Sequence, residues 1–214
     1  AKAFVEGYPE IRRGKKTPLH CAVEDGHTAV VQMLVDANAD VNSSNLVHIA
    51  ANYDDSAILQ ILVDAGADFD RKDKNGKTPL TLAVEKGNLA AVQVLLDANA
   101  DVFGRVFFAD FDDSTPLFAA VKGGHTAVVL ALLDADAGLR TMYLLHTAVK
   151  LGRSAIAQIL IDANVVNVDK PDWDGKYPLH IAAENGNEAF VQLLLDAKAN
   201  VNVLDQVGAT PLLL

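Results

Sequence analysis

An all-α solenoid built from pairs of short helices is the fold class this sequence predicts, and three features predict it. A segment typified by Thr17-Pro18-Leu19-His20-Cys21-Ala22 recurs as Leu46-Val47-His48-Ile49-Ala50, Thr78-Pro79-Leu80-Thr81-Leu82-Ala83, Thr115-Pro116-Leu117-Phe118-Ala119-Ala120, Leu144-Leu145-His146-Thr147-Ala148, Tyr177-Pro178-Leu179-His180-Ile181-Ala182 and Thr210-Pro211-Leu212-Leu213. With the His20 position as marker, the copies fall at 20, 48, 81, 118, 146, 180 and 213, so the intervals are 28, 33, 37, 28, 34 and 33 residues. An apolar block follows each of the first six markers, at 30–37, 58–65, 92–98, 128–135, 156–163 and 190–197, and Gly or Asn punctuates most of the junctions.

The first element of each unit is a helix, opened by Thr and Pro at 17–18, 78–79, 115–116 and 210–211. The threonine hydroxyl caps an orphan N–H, and proline at the first helical position loses nothing by lacking one. Its end falls near Gly26, Gly87, Gly124, Gly152 or Gly186, which accept a positive φ, with Asp54 in that place in the second unit. The second element is an apolar helix stopping at Asn38, Gly66, Asn99, Asp136, Asn164 or Lys198. Neither helix buries its apolar face alone, so the core must form between neighbouring units. Helix pairs are predicted to start near 17, 45, 78, 115, 143 and 177, with a partial seventh from 210. Lys2 to Glu6, ahead of Gly7, read as the tail of an earlier second helix, making residues 1–14 the remnant of a preceding unit in one array over 1–214.

The Thr-Pro-Leu-His-x-Ala motif, the pairs Gly26-His27 and Gly124-His125, and tails such as Gly66-Ala67-Asp68 resemble ankyrin repeats over nearly the whole chain. The resemblance implies an ankyrin-repeat α-solenoid with β-hairpin fingers, whose finger tips and first helices line a concave groove that binds other proteins. It also implies that the marker histidine bonds to the neighbouring turn. The turn pattern is intact at 73–78, 172–177 and 205–210, so three full fingers are expected. Ahead of His48 and His146 the connection is five residues short, leaving Ser43-Ser44-Asn45 and Arg140-Thr141-Met142-Tyr143 to turn the chain. Ahead of Phe118 it carries four extra residues, placed at 106–109. The solenoid is therefore irregular, with two shortened connections and one lengthened.

Composition narrows the partners. A net charge of -10 opposes broad attraction to phosphate backbones or anionic lipid, which argues against nucleic acid and membrane. No run approaches the roughly 18 apolar residues of a membrane span, and Ala1-Lys2-Ala3-Phe4 has no secretion-signal layout. The single cysteine, Cys21, allows no internal disulfide and suits the cytoplasm, with the nucleus or delivery into a host cell left open. A monomer is expected.

Six histidines invite a metal or acid–base proposal, and the repeat removes it. His20, His48, His146 and His180 fall at least one repeat apart, and imidazoles so spaced do not converge on an ion bound near 2 Å. Cys21 neighbours His20, but adjacent helical residues do not face each other, so Cys21 reads as a small buried thiol. Asp36, Asp64, Asp97, Asp134, Asp162 and Asp196 recur near the end of each second helix and form an acidic ladder on a solvated edge without a cleft. Phosphate-cradling glycine motifs are missing. No catalytic residue, cofactor or metal is therefore assigned, and the chain reads as not an enzyme.

The functional signal is misplaced aromatics. Phe103, Phe107, Phe108 and Phe111, four of eight phenylalanines, fall within nine residues of the lengthened connection, with Arg105 beside them. Trp173, the sole tryptophan, stands at an intact turn tip. Tyr53, Lys86 and Lys122 occupy positions before the interhelical turn that correspond to the family's groove contacts. Twelve of eighteen Lys and Arg lie in the connections, which would steer an acidic partner toward the fingers. The function expected is a protein–protein interaction module that binds an unidentified protein partner through its groove and finger tips. Two other readings stay open: a targeting arm of a larger enzyme or secreted effector, and an architectural or self-associating spacer.

Overall fold

In a computed structural model the described residues are 16–53, 55–103, 115–135 and 143–211. Three first helices begin as the sequence dictates. The Thr17, Thr78 and Thr115 hydroxyls accept from the backbone N–H of His20, Thr81 and Phe118 at 3.1, 3.2 and 3.2 Å, each followed by proline at the helix start. These open α1 (Pro18–Glu24), α5 (Pro79–Lys86) and α7 (Pro116–Gly123). The remaining first helices are α3 (Leu46–Asn52), α9 (Leu144–Lys150) and α11 (Pro178–Glu184). Gly26, Gly87, Gly124, Gly152 and Gly186 follow with φ between 60° and 79°. Asp54 and Asp136 lie outside the described residues.

The second helices are α2 (Thr28–Asp36), α4 (Ser56–Asp64), α6 (Leu89–Asp97), α8 (Thr126–Asp134), α10 (Ser154–Asp162) and α12 (Glu188–Asp196). Their ends turn through a left-handed residue: Asn38, Gly66, Asn99, Asn164 and Lys198 have φ of 62°, 79°, 61°, 54° and 67°. Asparagine tolerates that region through local side-chain bonding, whereas lysine there is strained.

The chain divides into two compact units, Ala1–Asp101 and Val102–Leu214. In the first, α1, α3 and α5 lie side by side in one layer and α2, α4 and α6 in the other; in the second, α7, α9 and α11 face α8, α10 and α12 in the same way. Leu46, Ile58, Leu59, Leu62, Leu80 and Leu95 are fully buried in the first unit, as are Leu117, Leu132, Leu144, Leu160 and Leu194 in the second. Each such side chain contributes about 1.5–3 kcal/mol by leaving water. The first described pair is the exception: Val30 is 44% exposed, whereas its counterparts Ile58, Ala91, Val128, Ile156 and Phe190 are at most 2% exposed. Cys21 is likewise exposed, which corrects its reading as a buried thiol.

The expected β-hairpin fingers are not seen: among the described residues there is no strand. Each intact turn pattern instead forms a tight loop closed by its own aspartate. The Asp73 N–H bonds to the Lys77 carbonyl at 2.8 Å, and Asp73 Oδ1 accepts the N–H groups of Asn75 and Lys77 at 2.8 and 2.9 Å. Asp172 and Asp205 repeat this arrangement at 172–176 and 205–209. Side-chain oxygens thus satisfy donors that a strand partner would otherwise take. The lengthened connection, with Arg105, Phe107, Phe108 and Phe111, lies outside the described residues, as do residues 1–14 and all but Tyr143 of the shortened segment at 140–143.

Candidate protein-binding surface

The intact turns are anchored from behind by histidine. His48 Nε2 lies 3.2 Å from the Lys77 carbonyl, His146 Nε2 is 3.2 Å from that of Lys176, and His180 Nε2 is 3.0 Å from that of Ala209. A ring N–H donates in each case, so every intact turn hangs from the first helix of the preceding pair. His20 has no such turn ahead of it, because the connection at 43–45 is one of the shortened ones; its Nδ1 is buried without a partner and its Nε2 sits 3.9 Å from Glu24. Burial pushes both His48 and His146 below the usual imidazole range, against the turn carbonyls and the nearby Asp73 and Asp172 carboxylates, which act the other way. Three of the four marker histidines therefore act as struts. Among the described residues no three His, Cys, Asp or Glu side chains gather as a metal-holding group.

Turn cations are tied to the first helices. Lys77 pairs with Glu85 at 2.6 Å, and Lys16–Glu24 and Lys176–Glu184 repeat the contact. The hydrogen bond to Glu184 holds Lys176 above its usual value, and the bond from Lys16 holds Glu24 below its own. Three of the twelve connection cations are thus already matched by carboxylates, which weakens the steering field read from their number alone. The acidic ladder is also engaged: Gln32, Gln60, Gln93, Gln158 and Gln192 donate to the aspartate four residues on at 2.7–2.9 Å. Asp134 has Leu130 in the donor's place, and Leu130 is 46% exposed. This i,i+4 pattern was present in the sequence and is a surface stabiliser.

Exposed apolar groups mark the turn edge of the second unit. Trp173 is 65% exposed and Val207 on the adjoining turn 86%, with Leu204 at 57%. The Gln206 side chain donates to the Trp173 carbonyl at 3.0 Å and joins the two turns. Gly175 packs there: a Cβ on it would stand 3.1 Å from the Gln206 backbone nitrogen. Trp173 also meets Tyr143, their ring centroids 5.6 Å apart. In the first unit Tyr53, 62% exposed, follows α3 and exposed Lys86 ends the neighbouring α5; exposed Lys122 lies in the last turn of α7 in the second unit. Tyr143, Leu204 and Val207 were not singled out from sequence, although an apolar residue at a polar turn tip was the available signal.

Stacked helix pairs with struts, solvated outer faces and apolar turn tips define a helical-repeat scaffold. The chain belongs to the ankyrin repeat family: the pattern described as ankyrin repeats (three copies) matches residues 47–143 and 134–205, and the single ankyrin repeat matches 15–46. Ankyrin repeats are in general protein–protein interaction modules. The fold superposes on the ankyrin repeat domain of Bcl-3, a member of the IkappaB protein family, with a TM-score of 0.81 and 26% identity over 94% of each chain. It also superposes on the human ASB11 ankyrin repeat domain, with a TM-score of 0.73 and 27% identity over 92% of this chain and 90% of that one. A Caenorhabditis elegans poly [ADP-ribose] polymerase tankyrase is 36% identical over 82 residues, covering 36% of this chain. The chain spans 4% of the length of that relative. Among the described residues no helix is long and apolar enough to cross a membrane.

Proposed function

We propose that the chain is a cytoplasmic, monomeric binding module that holds a partner protein against its first-helix ends and turn tips. The observation that carries this is the Trp173–Val207 edge. Two large apolar groups stand in water on turns fixed by Asp172, Asp205, His146 and His180, so a partner gains their burial with little ordering cost. Tyr53, Lys86 and Lys122 supply the groove contacts, and the sequence adds Phe107, Phe108, Phe111 and Arg105 as a second aromatic anchor.

Affinity capture followed by titration of the captured partner tests the reading. Trp173→Ala combined with Phe107→Ala is expected to keep the helical circular dichroism and to weaken binding by at least about 2 kcal/mol, roughly thirtyfold. Unchanged affinity retires those contacts.

The tankyrase similarity favours a second reading, in which these repeats are the targeting arm of a longer enzyme. The complete reading frame decides it: an adjoining catalytic domain supports the arm, and further repeats alone remove it.

A further inference from the structure

Two irregularities of the repeat meet in the second unit. Tyr143 closes one of the shortened connections and caps α9 with φ 60°, an unfavourable left-handed conformation for a bulky aromatic. Facing it, the segment after α10 carries one residue more than its counterparts: eight steps separate the left-handed Asn164 from Asp172, against seven from Gly66 to Asp73 and seven from Lys198 to Asp205. Between them lies a recess of about 220 Å³, bordered by Tyr143, Val165, Val166, Asn167 and Lys170, with the fully buried Leu144 behind them. That volume is below the roughly 300 Å³ at which whole-ligand pockets begin and suits one inserted side chain.

Two side chains at the recess, Asn167 and Lys170, offer donors. Asn167 Oδ1 already accepts the Asp169 N–H at 2.9 Å, which leaves its amide NH2 to donate. His146 Nε2 serves Lys176. The Lys170 ammonium lies 5.6 Å from the Tyr143 ring centroid and has no ion-pair partner among the described residues, unlike Lys16, Lys77 and Lys176. One oxygen of each flanking carboxylate is already engaged: Asp169 Oδ1 accepts the Asn200 N–H, and Asp172 Oδ1 accepts those of Asp174 and Lys176.

We infer that this recess is a binding site for an acidic peptide segment of a partner protein, taking one apolar side chain between Tyr143 and Val166 and a flanking carboxylate on Lys170 and Asn167. Apolar walls select the side chain, and donors without matching acceptors select the charge. Tyr143 links the site to Trp173 through their ring contact. The inference rests on the reading of the chain as a protein-binding module and gives that module a ligand chemistry.

Trp173 is the only tryptophan, so its fluorescence reports occupancy without a label. The probes are the blocked tetrapeptide Glu-Leu-Glu-Glu, its Glu-Gly-Glu-Glu and Lys-Leu-Lys-Lys counterparts, and free succinate as a dicarboxylate without a side chain. A saturable change is expected with the first, and none with the basic peptide or succinate. Affinity should fall by at least about tenfold in Lys170→Gln, a surface substitution that leaves the fold alone, and by a similar factor when glycine replaces leucine. No saturable change with the first peptide, equal binding of the basic peptide or succinate, or an unaffected Lys170→Gln protein overturns the site. Because the capture experiment uses Trp173→Ala and Phe107→Ala with an intact partner, loss of the recess alone leaves the module reading standing.

Discussion

The His48 ring N–H donates to the Lys77 carbonyl across 29 residues of sequence, at 3.2 Å, and so fastens the turn of one helix pair to the first helix of the pair before it. His146 and His180 make the same bond, whereas His20, facing a shortened connection, does not. That difference separates His20 and His48, two otherwise equivalent residues within one unit.

His48→Ala is expected to cost about 1–3 kcal/mol, since it strands a carbonyl and empties a buried site. His20→Ala should cost no more than about 0.5–1 kcal/mol, having no turn to lose. Urea denaturation of both proteins gives the comparison, and equal losses would remove the strut from the account.

Stability should depend on pH in the imidazole range. Burial favours the neutral form of His48 and His146 in the folded chain, so the unfolded chain takes up protons more readily. Their contribution is therefore complete above the unfolded value of about 6.5 and declines as pH falls below it. Asp73 and Arg71 face His48, and Asp172 and Lys170 face His146. The urea midpoint should drop between about pH 7.5 and about pH 5.5, and the drop should shrink when both histidines are replaced by glutamine. A wild-type drop that survives the double replacement assigns the effect elsewhere. Asp73 works in a separate, more acidic window: partial desolvation pushes it up, but the Lys77 and Asn75 N–H groups hold it below its usual value. Its contribution is present above the ordinary carboxylate value and is lost as pH falls through the depressed one.

The outer face offers a gain. Leu130→Gln restores the missing donor to Asp134 and removes an exposed apolar side chain, which should add about 0.2–0.5 kcal/mol. A crystal structure or amide nitrogen shifts of the variant should show the introduced carboxamide donating to Asp134; a stability gain without that bond points to surface hydrophobicity alone.

Lys198 is the one described second-helix terminus that places neither Gly nor Asn at positive φ, with φ 67°. Lys198→Gly should stabilise the chain by about 0.5–1 kcal/mol, while Gly66→Ala, at φ 79° in open space, should lose about 1–2 kcal/mol. Thermal midpoints moving the other way in either protein contradict the left-handed termination scheme.

Helix starts and stops were legible because they are written in local chemistry: Thr and Pro at the opening of α1, α5 and α7, and Gly or Asn at the left-handed ends. The histidine struts followed from the family resemblance and are found where the next turn is intact. Extended fingers were over-read, because an Asp-x-x-Gly pattern specifies a turn closed by its aspartate and says nothing about whether strands continue from it. The exposure of Cys21 and Val30 was not legible, since their counterparts in the repeat are mostly apolar residues in buried or half-buried places. Ion pairing of Lys77 with Glu85 joins residues eight apart, from just ahead of α5 along that helix, outside the i,i+4 rule that pattern reading relies on. The recess beside Tyr143 needed two separate length irregularities to be seen together in space.

The most direct test of the binding role is the amide hydrogen-exchange footprint of a captured partner. Protection is predicted at the turns 172–176 and 205–209 and at the last turns of the first helices, with α4, α6, α10 and α12 unchanged on their Gln–Asp face. Protection confined to that outer face, with the Trp173 and Val207 turns exchanging as in the free chain, would contradict it.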